Sequence, residues 1–140
     1  IGIHDYMMNL YNHHFNDEKL STREKIIKIN NLISNHEEEV ANPILEYIYN
    51  KKNLKLIGKN KILNKNRAPT IAFTSKNISS KQISEILVSN KIATRNDNFY
   101  AWRCLEAIGI NTEDGVVRLS LTHYNSKHDS NLAIKSLSKL

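Results

Sequence analysis

Cys104 is the only cysteine in the sequence, so no disulfide can form within the chain, and the expected compartment is a reducing one, the cytoplasm. No apolar run approaches the ~20 residues that a membrane-spanning helix needs. Residues 1–15 lack the basic start and apolar centre of a signal peptide. The expectation is a soluble chain with no membrane partner. Internal repeats and low-complexity tracts are missing as well. A dense basic run is the last absence. Lys and Arg number 20 against 14 Asp and Glu, a formal charge of +6, but the lysines are scattered among Asn and Ile rather than massed beside aromatic residues. No nucleic-acid partner is expected, and an anionic cofactor or acidic partner suits the same charge balance.

What is present is about one domain's worth of chain: 140 residues bury roughly two thirds of the surface they expose when unfolded. The clearest element lies near the C-terminus. Val117, Leu119 and Leu121 alternate with Arg118, Ser120 and Thr122, the period-two pattern of a strand over 116–122 with one apolar and one polar face. Tyr124-Asn125-Ser126 breaks it, and Ser126 with Asp129 has the spacing of a capping box at the start of a last helix. An arginine held on a strand close to a helix start suits a planar carboxylate or phosphate, gripped by two parallel hydrogen bonds.

Ahead of this, Ile3, Tyr6, Met7, Leu10, Tyr11 and His14 recur at helical spacing, which predicts an amphipathic helix over 3–15 with a core-facing stripe. The adjacent His13 and His14 point to different sides of that helix and make a poor metal pair. Residues 16–20 form a polar break. Ser21 and Glu24 again have capping-box form, and Ile26, Ile29, Ile33, Val40, Ile44 and Ile48 follow one face. This is one long helix or two in series, with Pro43 expected to kink or restart it. Strands are predicted at 54–57, 70–74 and 92–95, with a helix capped by Ser79 or Ser80 between the last two, a β-α-β unit. A polar loop over 95–101 enters a helix over 102–108 closed by Gly109, which leaves Cys104 expected as a small buried residue.

Four stretches carry a family resemblance. Gly115-Val-Val-Arg118-Leu-Ser-Leu-Thr-His-Tyr-Asn125-Ser126 resembles the terminal signature of class V aminotransferases, the fold-type I pyridoxal-phosphate enzymes that include cysteine desulfurases and selenocysteine lyases. Ser126 stands where threonine is usual. Arg67, Pro69, Thr70 and Phe73 match that family's Arg-x-Pro-Thr-x-x-Phe strand, in the same order along the chain. Arg23-Glu24, His36-Glu37 and Leu45-Glu46-Tyr47-Ile48 look like the helix leading into the small domain of desulfurase-like members.

The resemblance implies an α/β (α+β) fold: the two-layer small C-terminal domain of a fold-type I enzyme, with a small mixed sheet and helices on one face. Residues 1–52 would be linker helices and 53–140 the small domain. It also implies that Arg118 grips the α-carboxylate of an amino-acid substrate. The loop at Arg95 resembles the desulfurases' Arg-x-Gly-His-His-Cys-Ala, with Tyr100 on the cysteine and Asn98 and Phe99 on the histidines. Tyr100 and Asn98 would then shape the substrate pocket. A tyrosine cannot carry a persulfide, so ordinary cysteine desulfuration is not expected. Neither a His-Lys pair, usual at the Schiff-base lysine, nor a glycine-rich phosphate cradle occurs here. The resemblance therefore places pyridoxal 5'-phosphate in the parent enzyme, on a large domain outside this chain, and implies a homodimer for the full-length protein. Two alternatives differ in class: a non-catalytic α/β protein-interaction domain, and a basic nucleic-acid-binding module using the lysines of residues 51–65.

Overall fold

The computed structural model describes residues 2–15, 17, 19–63 and 65–140. Helices α1 (Gly2–His14) and α2 (Thr22–Asn50) precede strands β1 (Leu54–Ile57) and β2 (Thr70–Ser75); α3 (Ser80–Ser89), β3 (Arg95–Asp97), α4 (Trp102–Ala107), β4 (Val116–Ser120) and α5 (Lys127–Leu137) follow. The polar break over 16–20 falls partly outside the described residues. No described helix is long and apolar enough to cross a membrane.

The strands form one sheet in the order β1-β2-β4-β3, and every neighbouring pair is antiparallel. This corrects the mixed sheet expected from the sequence. β2, α3 and β3 do run as a β-α-β unit with parallel strands, but β4 inserts between them, so each meets an antiparallel neighbour instead. Strand β3 also begins later than predicted. Lys91 takes the left-handed φ of 63° that ends α3, and its N–H and that of Ile92 bond back to the carbonyls of Val88 (2.8 Å) and Leu87 (3.0 Å). This Schellman closure uses residues 91–92 to leave the helix, so pairing starts only at Arg95.

Alternation along the strands sets up two apolar layers. Ile71, Phe73, Val117 and Leu119 turn to one face and are buried against Val40, Ile44, Leu45 and Ile48 of α2, Ile83 and Leu87 of α3, and Leu137 of α5. Val116 turns to the other face and meets Leu105 of α4 and Ile110, with Ile57, Ala72 and Phe99 at the margin. The expectation of helices on one face is therefore corrected: short α4 covers part of the second.

Helix α2 runs unbroken through Pro43, where a kink or restart was expected. Proline removes one hydrogen-bond donor, whereas Val40, Ala41, Ile44 and Leu45 on either side are fully or almost fully buried, and that packing outweighs the missing bond. Asn42 adds a clamp: its side chain donates to the Ile62 carbonyl at 3.1 Å and accepts from the Ile62 N–H at 2.7 Å. The predicted core-facing stripe of α1 is not found. Ile3 is 84% exposed and Tyr6 48%, and among the described residues only Tyr11 is buried in α1.

All three capping boxes are present, at Ser21/Glu24, Ser79/Gln82 and Ser126/Asp129. The Ser126 backbone N–H and hydroxyl both donate to the Asp129 carboxylate, at 2.7 and 3.1 Å, and hold its pKa below the usual carboxylate range. Glu24 is held low in the same way by the Ser21 hydroxyl and N–H. A carboxylate whose folded pKa is depressed lends stability above its unfolded pKa, and that stability is lost as pH falls through the folded value. The thermal midpoint is therefore expected to drop on acidification below about pH 4. Asp129→Asn, which keeps an acceptor but cannot titrate, should make the drop shallower; an equal drop in both proteins would contradict a role for this cap.

Candidate substrate-carboxylate site

Arg118 sits at the middle of β4, between Val117 and Leu119, whose side chains go into the main core. Alternation sends the arginine to the opposite face, where it is half-buried. Its Cα partners are Ala72 on β2 and Arg95 on β3, and Ala72 in turn pairs with Ile57 of β1. One row of the sheet thus reads Ile57, Ala72, Arg118, Arg95. Thr94 donates its hydroxyl to the Arg118 carbonyl at 2.8 Å and extends the attachment beyond the ladder.

The guanidinium lies under the ring of Phe99, with Cζ 4.1 Å from the ring centroid. Its Nε is out of contact with water and, among the described residues, has no hydrogen-bond partner. A buried donor left unpaired costs on the order of 1–3 kcal/mol, and the Tyr47 hydroxyl is a second such group among the described residues. Among the described residues no carboxylate lies within ion-pair distance of Arg118.

The loop that supplies Phe99 is tightly built. The Ala101 N–H bonds to the Asn98 carbonyl at 2.9 Å, and the two residues between, Phe99 and Tyr100, both have left-handed φ values of 52° and 61°. This is the φ pattern of a type I′ turn, unusual for two residues with side chains of this size. Asn98 holds it: its N–H donates to Asp97 Oδ1 (2.7 Å), its Oδ1 accepts from the Tyr100 N–H (3.0 Å), and its Nδ2 donates to the Thr112 carbonyl (3.3 Å). Gly115, at φ 67°, leaves room for this stretch; a Cβ there would stand 2.3 Å from the Asp97 carbonyl carbon and 2.7 Å from the Asn98 nitrogen.

The structure thus places Asn98 within the framework of the turn, with both ends of its amide bonded to backbone, and Tyr100 at the turn's tip, 98% exposed. Cys104, expected to be buried, is exposed: in α4 only Leu105 turns inward. His123 accepts or donates a 2.5 Å hydrogen bond with the Tyr6 hydroxyl and ties α1 to the chain after β4. Beside it, burial raises the pKa of Glu37, an effect partly offset by His123 and His36. Phe99, Gly115 and Arg95 had not been given roles from the sequence. Loop residues carry no periodicity, and the Arg95–Arg118 pairing follows only once the register is known.

A family model described as "Aminotransferase class-V" matches residues 25–132. The chain belongs to the class V aminotransferase family. Such enzymes are dependent on pyridoxal phosphate. An aminotransferase-like protein of Gibberella zeae, FGM3, is 29% identical over 106 residues, which are 75% of this chain and 26% of that protein. The cysteine desulfurase of Thermococcus onnurineus NA1 superposes with a TM-score of 0.67 at 20% identity, over 84% of this chain and 29% of that one. For the cysteine desulfurase CsdA of Escherichia coli the values are 0.63, 16%, 76% and 24%. These two structures show that the fold is shared. This chain spans about a quarter of the length of each relative.

The donors described here do not by themselves make a pyridoxal-phosphate site. A phosphate binds best to free first-turn amides at a helix start; α2, α3 and α5 each give such an amide to their own capping serine, α2 and α5 add a carboxylate there, and α4, which has no side-chain cap, is only six residues long. What Arg118 offers is a half-buried cationic donor stacked under Phe99.

Proposed function

We propose that this chain is the small domain of a pyridoxal-phosphate enzyme acting on an amino acid, and that Arg118 holds the substrate's α-carboxylate. The observation that carries the reading is the guanidinium itself: set on the family's arginine strand, stacked under Phe99, and left with an unpaired Nε–H. Two parallel, charge-assisted hydrogen bonds to a carboxylate are worth on the order of 2–3 kcal/mol when desolvated. Holding that group fixes how the bonds at Cα are presented to the rest of the site, so Arg118 orients the substrate as well as anchoring it.

Tyr100, at the tip of the neighbouring turn, shapes the side-chain pocket, and Asn98 acts through the turn it holds. With tyrosine where desulfurases carry cysteine, a reaction other than persulfide formation is the better reading. The cofactor is held by a large domain, the full-length protein is a cytoplasmic homodimer, and this chain supplies the substrate-facing wall. The experiment is the near-ultraviolet and visible absorption of the full-length protein before and after borohydride. A band that reduction abolishes is expected, from a lysine-bound cofactor. A full-length protein that stays colourless after added pyridoxal phosphate would contradict the proposal and favour a non-catalytic interaction domain.

A further inference from the structure

The register across β3 and β4 sets two guanidiniums side by side. Arg95 and Arg118 are Cα partners in an antiparallel pair, so their side chains leave the same face with Cβ atoms about 5 Å apart. Like charges directly opposite one another destabilise a sheet. Nothing nearby offsets this pair: among the described residues no carboxylate is within ion-pair distance of either arginine. Asp97, two residues along β3 on the same face, has one oxygen committed to the Asn98 N–H at 2.7 Å. Ala72 and Ile57 continue the row with apolar side chains, and Lys55, paired with Thr74 on that same face, adds positive charge at its far edge.

The two arginines differ in how they are held. Arg118 is half-buried beneath Phe99, whereas Arg95 is exposed at the outer strand of the sheet and free to turn toward a ligand. One fixed and one adjustable guanidinium, a strand spacing apart, suit a ligand with two anionic groups separated by a few bonds. We infer that Arg95 is a specificity-determining residue that takes a second oxyanion, so that the substrate class is amino acids with an acidic side chain. This rests on the reading of Arg118 as the α-carboxylate site. A substrate with a neutral side chain leaves the Arg95 charge uncompensated; an acidic one removes the repulsion between the two strands.

The test uses acetate and succinate as probes, titrated into the chain at constant ionic strength while the Arg118 Nε–H signal is followed by NMR. Succinate is expected to bind about fivefold more tightly than acetate, the size of a well-placed exposed ion pair. Arg95→Gln should bring succinate to the level of acetate, and Arg118→Gln, followed on neighbouring β4 amides, should lose both. Equal binding of the two probes by the unaltered chain, or a succinate preference that survives Arg95→Gln, would overturn the role of Arg95 and leave Arg118 standing. Acetate binding unchanged by Arg118→Gln would remove the Arg118 reading, and the inference with it.

Discussion

Gly115→Ala is expected to destabilise the fold by about 4 kcal/mol, through a left-handed backbone and a steric overlap together. At φ 67° an alanine costs roughly 1–2 kcal/mol. The added Cβ would also stand 2.3 and 2.4 Å from the Asp97 carbonyl carbon and oxygen and 2.7 Å from the Asn98 nitrogen. All three are backbone atoms, so no side chain can swing aside to relieve the contact. Either β4 or the turn must shift, and the turn carries Phe99 over Arg118. Gly109→Ala provides the comparison, since its φ of 71° is similar but nothing lies within 4 Å of the added atom. That variant should lose only about 1 kcal/mol. Urea unfolding of the two variants separates the terms; comparable losses would show that the turn is not braced against Gly115.

Much of the fold was legible because local chemistry and tertiary packing agree. The serine and acid or amide pairs at Ser21, Ser79 and Ser126 mark three helix starts, and the alternation around Val117 and Leu119 gives β4 its core face. Where the two levels disagree, the sequence misleads. Pro43 signals a break that buried neighbours override. Ile3 and Tyr6 have core periodicity yet stay exposed, because period alone does not say what covers a face. The mixed sheet failed on topology, since no local signal tells a strand that another will insert beside it.

The candidate site divides in the same way. Arg118 was visible from its strand pattern and the family signature. Its partners were not, because Phe99 reaches it from a turn whose left-handed residues are bulky rather than the glycine and asparagine that usually announce such geometry. Arg95 is the last residue of its predicted strand and the first of the observed one, and only the antiparallel pairing with β4 brings it beside Arg118.

Arg118→Gln in the full-length protein is the most direct test of the account. Glutamine keeps length and polarity but loses the charge and the planar fork, so kcat/KM for the amino-acid substrate should fall about 30- to 150-fold, chiefly through KM. Arg118→Lys, which restores charge without the fork, should recover part of that loss. Saturation curves for the three proteins, with far-ultraviolet circular dichroism to establish that each is folded, give the answer. A large rise in KM with partial rescue by lysine is the predicted result; an unchanged kcat/KM in Arg118→Gln would place the carboxylate elsewhere and contradict the account.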